Sequence, residues 1–127
     1  MIRGIGVDLV HVSDIQNWLE IKETHFLRNI FSKSELAEAL QNDCAEYLAG
    51  RFAVKEAVFK AIIPLIPKSG LDFRKIESSH DVYGAPYVII TEELKHFLLL
   101  ADVDRIHISL SGDDGLVIAY AIAEKTE

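Results

Sequence analysis

Two acidic residues stand where acids are expensive to keep. Asp8 ends the run Gly4-Ile5-Gly6-Val7-Asp8, which reads as a strand. Glu56 lies in Arg51-Phe52-Ala53-Val54-Lys55-Glu56-Ala57, which reads as a helix of small and apolar residues. A carboxylate at the end of a buried strand and another on a packed helix need a positive charge between them. Two separated carboxylates with room for water suit a magnesium ion that also holds a substrate phosphate. Each acid also has a purely structural alternative. Asp8 can cap the helix that follows or pair with Arg3, and Glu56 can pair with Lys60 one turn on, worth about 0.2–0.5 kcal/mol.

Three cations, Arg51, Lys55 and Lys60, share the segment with Glu56, interleaved with Ala53, Ala57 and Ala61. Alanines at that spacing let a backbone or a flat ligand approach closely. A third set lies near the C-terminus. In Arg105-Ile106-His107-Ile108-Ser109-Leu110-Ser111, strand alternation puts the aliphatics on one face and His107, Ser109 and Ser111 on the other. Such a row is either a solvated sheet face or the lining of a polar groove. The single cysteine, Cys44, excludes an intrachain disulfide and sits at helical spacing between Leu40 and Leu48, as a packed thiol would.

The elements that must position these groups follow from pattern. Met1 to Val10 reads as a strand covered at least in part on both faces. Ser13 offers an N-cap to a helix reaching about Glu23. Ser32-Lys33-Ser34-Glu35 is a capping box, and one helical pattern runs from it toward Ile63 through Leu36, Leu40, Cys44, Leu48, Phe52 and Phe59. Gly50 is a possible bend and Pro64 a stop. A strand near Ile76, a turn at Tyr83-Gly84-Ala85-Pro86 and a strand from Tyr87 to Ile90 come next, then a short helix capped by Thr91. Arg105–Ser111 and Leu116–Ala123 form a closing hairpin around Gly112-Asp113-Asp114-Gly115. The order implies an α+β fold, an antiparallel sheet packed with a long helix, in a single domain spanning residues 1–127.

Composition narrows the function. The chain has 127 residues and a formal charge of −7, from 20 acids against 13 Lys and Arg. That sign argues against general nucleic-acid binding. No apolar run reaches the ~20 residues of a membrane span, and Arg3 and Asp8 interrupt any signal-like start. The expectation is a cytoplasmic protein.

Order and spacing together resemble the holo-acyl-carrier-protein synthase family, the small 4′-phosphopantetheinyl transferases. The match runs through Gly4-Ile5-Gly6-Val7-Asp8, Phe31-Ser32-Lys33-Ser34-Glu35-Leu36, Leu48-Ala49-Gly50-Arg51-Phe52-Ala53-Val54-Lys55-Glu56-Ala57, Gly84-Ala85-Pro86 and the closing His107-Ile108-Ser109-Leu110-Ser111. The resemblance implies transfer of 4′-phosphopantetheine from coenzyme A to a serine of an acyl carrier protein, releasing adenosine 3′,5′-bisphosphate. By the same resemblance Asp8 and Glu56 are the magnesium ligands and Lys60 the lysine at the reacting phosphate. Glu56 or a water it orients takes the serine proton. Arg51, Lys60, His107 and Ser109 line the coenzyme A site, and the assembly is a homotrimer with sites between subunits.

Three departures stand out. Gly112 replaces a second histidine. Ile62-Ile63-Pro64-Leu65-Ile66-Pro67-Lys68-Ser69-Gly70 replaces a Gly-Thr-Gly loop, leaving Lys68-Ser69-Gly70 to take its place. The first helix carries Asp14, Glu20 and Glu23 where relatives that serve acidic carriers show arginines, so it would repel such a carrier. The competing functions are a non-catalytic nucleotide- or partner-binding member of the fold and a magnesium-dependent hydrolase of a small pyrophosphate.

Overall fold

The protein is described from a computed structural model covering residues 1–21, 25–66 and 70–127. Strand β1 (Ile2–His11) runs without a loop into α1 (Val12–Glu20). Helices α2 (His25–Ile30), α3 (Lys33–Ala39) and α4 (Cys44–Ile62) follow. The strands β2 (Glu77–His80) and β3 (Pro86–Ile89) pair as a separate antiparallel hairpin. Helix α5 (Glu92–Leu100) leads to β4 (Arg105–Asp113) and β5 (Leu116–Glu124). The main sheet is antiparallel in the order β1-β5-β4, and the central helix α4 packs across it. This is the expected α+β architecture. No described helix is long and apolar enough to cross a membrane.

Close approach of α4 to the sheet depends on residues without side-chain bulk. A Cβ on Gly4 would lie 2.0 Å from the Ala61 carbonyl oxygen, and one on Gly6 1.9 Å from that of Ala57. Opposite them in register stand Ala123 and Ala121 of β5, both buried. The glycines therefore admit the helix backbone, not a ligand. Only one face of β1 is covered. Gly6 and Val10 are buried, whereas Ile5, Val7 and Leu9 are exposed on the far side. The expectation of a strand covered on both faces does not hold for this chain.

The helical run expected from Ser32 to Ile63 is two helices. The capping box forms as read: Ser32 Oγ accepts from the Glu35 amide, and Glu35 Oε1 accepts from the Ser32 amide at 3.0 Å. The chain then leaves the helix at Leu40, and Asp43 caps α4 by accepting from the Glu46 amide. Apolar residues keep the helical beat across this break, which hid it. Gly50 lies inside α4, and Pro64 falls in a 3₁₀ turn, Ile63–Leu65, immediately after it. Ser13 is not a cap, because α1 starts at Val12 with no side-chain cap bond. Thr91 caps α5 as expected, accepting from the Leu94 amide at 3.2 Å. The closing turn is only Asp114-Gly115, both at positive φ, 52° and 76°, as a type I′ hairpin requires.

Lys55 and Glu35 form a fully enclosed ion pair, Nζ to Oε1 at 2.8 Å. Lys55 Nζ also donates to the Phe73 and Ile76 carbonyls at 2.6 and 2.8 Å. Burial pushes the Lys55 ammonium down and the Glu35 carboxyl up, while each holds the other partly in its charged form. One of the three cations of the central motif is thus internal, and ties α4 to α3 and to the segment before β2.

Candidate active site

Asp8 extends the helix-facing row of β1 beyond Gly4 and Gly6, to the level of α4 where Glu56 and Lys60 project. Lys60 Nζ donates to Asp8 Oδ1 and to the Val7 carbonyl, each at 3.1 Å. The two structural alternatives for Asp8 fall away. Arg3 donates to the Ala101 carbonyl instead, and α1 takes no side-chain cap. Lys60 likewise serves Asp8 rather than forming the simple surface pair with Glu56.

Asp8 and Glu56 line one cavity of ≈ 230 Å³ together with Asp14, Trp18 and Phe52. Trp18 closes its apolar wall, edge-on to Phe52 with centroids 5.1 Å apart. Burial pushes the Glu56 carboxyl above its usual range, the Asp8 charge adds to that, and Lys60 opposes both. Two hard oxygen donors that crowd each other are a fair match for a divalent cation, whose charge would relieve the repulsion. Among the described residues no group of three or more acids, histidines or cysteines is close enough to hold a metal. A magnesium ion here would take two side chains and complete its shell with water and phosphate oxygens, its common habit. Sequence reasoning missed Asp14 as a lining residue of this cavity. The signal was the absence of any turn-forming residue between β1 and α1, which folds the first turn of α1 back beside Asp8.

The remaining residues of the expected site lie elsewhere. Arg51 is only 8 % exposed and lines a second cavity of ≈ 400 Å³, shared with Gly50, Ser79, His80 and Leu110. Its guanidinium sits 4.6 Å from the centre of the Tyr47 ring, and its Nε has no hydrogen-bond partner. Leu110 belongs to β4 and Asp8 to β1, so the two cavities flank α4 at opposite edges of the sheet. Glu56 lies five positions after Arg51, a rise of about 7.5 Å along the helix.

His107 and Ser109 are on the other side of the sheet altogether. They pair in register with Ile122 and Tyr120 of β5, and Tyr120 in turn pairs with Val7 of β1. Cross-strand partners point the same way, so this face carries Ile5, Val7, Leu9, Tyr120 and Ile122, all exposed, away from Asp8. His107 Nε2 lies 2.9 Å from Glu124 Oε1, and that contact holds the Glu124 carboxyl below its usual range. Within one chain His107 and Ser109 do not reach the Asp8–Glu56 cavity. Lys68 and Ser69, the expected substitutes in the phosphate loop, and Glu23 of the acidic helix lie outside the described residues.

Comparison with known proteins bears on the chain as a whole. The model of the 4′-phosphopantetheinyl transferase superfamily matches residues 4–121. A holo-[acyl-carrier-protein] synthase from Clostridium kluyveri is 39% identical over 126 residues, covering 98% of this chain and 91% of the relative. The crystal structure of the holo-[acyl-carrier-protein] synthase from Neisseria meningitidis superposes with a TM-score of 0.85 at 32% identity, covering 98% of this chain and 100% of that one. The Helicobacter pylori synthase in complex with coenzyme A superposes at 0.77 with 27% identity, over 94% and 99% of the two chains. The fold and the sequence agree: this chain belongs to the 4′-phosphopantetheinyl transferase superfamily.

Proposed function

We propose that this protein is a cytoplasmic, magnesium-dependent holo-acyl-carrier-protein synthase. It moves 4′-phosphopantetheine from coenzyme A to a serine hydroxyl of an acyl carrier protein, in support of fatty acid synthesis, and releases adenosine 3′,5′-bisphosphate. The observation that carries this reading is the meeting of Asp8, Glu56 and Lys60 at one cavity in a chain of this family.

The chemistry is displacement at phosphorus, where positioning and neutralisation of developing charge supply most of the rate. Asp8 and Glu56 would hold the magnesium ion, which would supply Lewis-acid polarisation of the pyrophosphate. Lys60, whose side chain is half exposed, turns its ammonium from Asp8 to a phosphate oxygen. The serine oxygen forms the new bond to the pantetheine-side phosphorus, and the bond to the bridging oxygen breaks toward the nucleotide. Glu56 Oε accepts the serine proton. Arg51 anchors an anionic group of the long coenzyme A molecule from further along α4.

His107 and Ser109 join this site from a second copy of the chain. They share their face with five exposed apolar side chains, and a homotrimer that covers that face brings them to a neighbour's Asp8 and Glu56. The activity test is incubation with coenzyme A, magnesium and apo carrier proteins, with the phosphopantetheine adduct read by mass spectrometry. An absent adduct on every carrier, with coenzyme A left intact, rejects the reading. The assembly test mixes inactive Asp8→Asn with inactive His107→Ala after subunit exchange. Recovered turnover in the mixture supports a shared site, and a strictly inactive mixture excludes it.

A further inference from the structure

Arg51 is an unusual cation. It is more than nine-tenths removed from solvent, yet no carboxylate of the described residues lies within 4.0 Å of its nitrogens. Its Nε is unpartnered, and the side chain borders an open cavity. Two carboxylates, Glu38 and Glu46, border the same cavity. A buried guanidinium beside free carboxylates would ordinarily close on one of them in a bidentate pair. It would then be neutral toward any ligand.

Tyr47 stands between the two. Its ring supports the Arg51 guanidinium through the face, at 4.6 Å. Its hydroxyl donates to Glu38 Oε2. Burial and the Glu38 contact push the Tyr47 phenol above its ordinary range and outweigh the opposing pull of the Arg51 guanidinium, so the hydroxyl keeps its proton. One residue therefore performs both tasks: it props the cation and restrains one of the two carboxylates at the cavity.

We infer that Tyr47 is a positioning residue for anion binding, whose hydroxyl holds Glu38 away from Arg51 so that the guanidinium remains available to a phosphate of the substrate. The inference rests on the reading of Arg51 as part of the coenzyme A site, and it goes beyond it by assigning roles to Tyr47 and Glu38. The ring face supports the Arg51 guanidinium with or without the hydroxyl. The hydroxyl is what restrains Glu38. Removing only the hydroxyl, as in Tyr47→Phe, preserves the cation–π contact and frees Glu38 to pair with Arg51.

The test is calorimetric titration of coenzyme A into four proteins, each first shown to unfold cooperatively: wild type, Tyr47→Phe, the double variant Tyr47→Phe/Glu38→Gln, and Arg51→Met. Tyr47→Phe is expected to weaken binding about tenfold, the equivalent of one lost charge-assisted contact. The double variant is expected to return to within about twofold of wild type, because a neutral amide no longer competes for the guanidinium. A merely structural Tyr47 would not be rescued by a second change at Glu38. Weakened binding without rescue rejects the restraint of Glu38. Unchanged binding in Tyr47→Phe alongside weakened binding in Arg51→Met rejects the role of Tyr47 and leaves the coenzyme site standing. Unchanged binding in Arg51→Met removes Arg51 from the coenzyme site, and the inference with it.

Discussion

Lys60 reaches across from α4 to β1 and places its ammonium on Asp8, 3.1 Å from Oδ1, although Glu56 lies one turn away on its own helix. The lysine thus rests on one of the two carboxylates assigned to the metal. Lys60→Ala is expected to slow transfer by about 10²–10³-fold, as loss of a cation at a transition-state anion typically does. The lysine end of the pair is half exposed, so stability should fall by only about 1 kcal/mol. A variant that melts lower but turns over normally would make Lys60 a structural residue.

Asp8→Asn is expected to weaken magnesium binding in the presence of coenzyme A, since an amide brings less charge to a hard cation. Titration calorimetry with the coenzyme held saturating reads this directly. Wild-type affinity in the variant would remove Asp8 from the metal site.

Glu56 gives the metal-free protein a pH dependence of definite sign. Its folded-state affinity for a proton is raised, so its contribution to stability is full below the ordinary glutamate value of 4.5 and is lost as pH rises through the higher folded value. Glu56→Gln removes the ionisable group. Without metal, the variant should match wild type in acid and melt above it at neutral pH. Equal melting temperatures at both pH values would show that the strain on Glu56 is negligible.

The same sequence rule, glycine to alanine, should act with opposite sign at two positions. Gly6→Ala drives a methyl to 1.9 Å from the Ala57 carbonyl oxygen, and overpacking of that severity costs about 3 kcal/mol or more. Gly50→Ala meets nothing closer than Leu110 Cδ2 at 3.9 Å and gains about 0.5–1 kcal/mol of helix propensity. Urea denaturation of both variants separates them. A stable Gly6→Ala would mean that α4 does not sit as tightly on β1 as described.

Much of this site was legible from the residues. Asp8 and Glu56 stood out through the order and spacing of their motifs, since each alone had a structural alternative, and the capping residues Ser32 and Thr91 wrote their helix starts plainly. Other features were hidden by competing signals. The break before Asp43 was masked by apolar residues that stay in helical phase across it. The exposed row Ile5, Val7 and Leu9 reads as core to any rule that buries aliphatics, since nothing in one chain reveals an uncovered face. The separation of His107 from Asp8 follows from which way each strand faces in the sheet, and a strand's own alternation cannot tell which face is inner.

Asp14 alters the expectation for the carrier. It borders the same cavity as Asp8 and Glu56, so its charge meets any partner entering there. A strongly acidic carrier should be modified slowly at low salt, with added salt helping or doing little. Asp14→Arg should speed that reaction. Fast modification by wild type that drops steeply with salt would reveal an attractive docking surface and reject this expectation.

Glu35 caps the first turn of α3 with the same carboxylate group that meets Lys55 in the interior. Fraying of that helix end would therefore strand an unpaired ammonium at the centre of the molecule, a far larger penalty than the opening of an ordinary surface turn. The start of α3 should not open on its own. Its amide protons should exchange with solvent only when the whole domain unfolds, so a short peripheral helix reports the global stability of the protein.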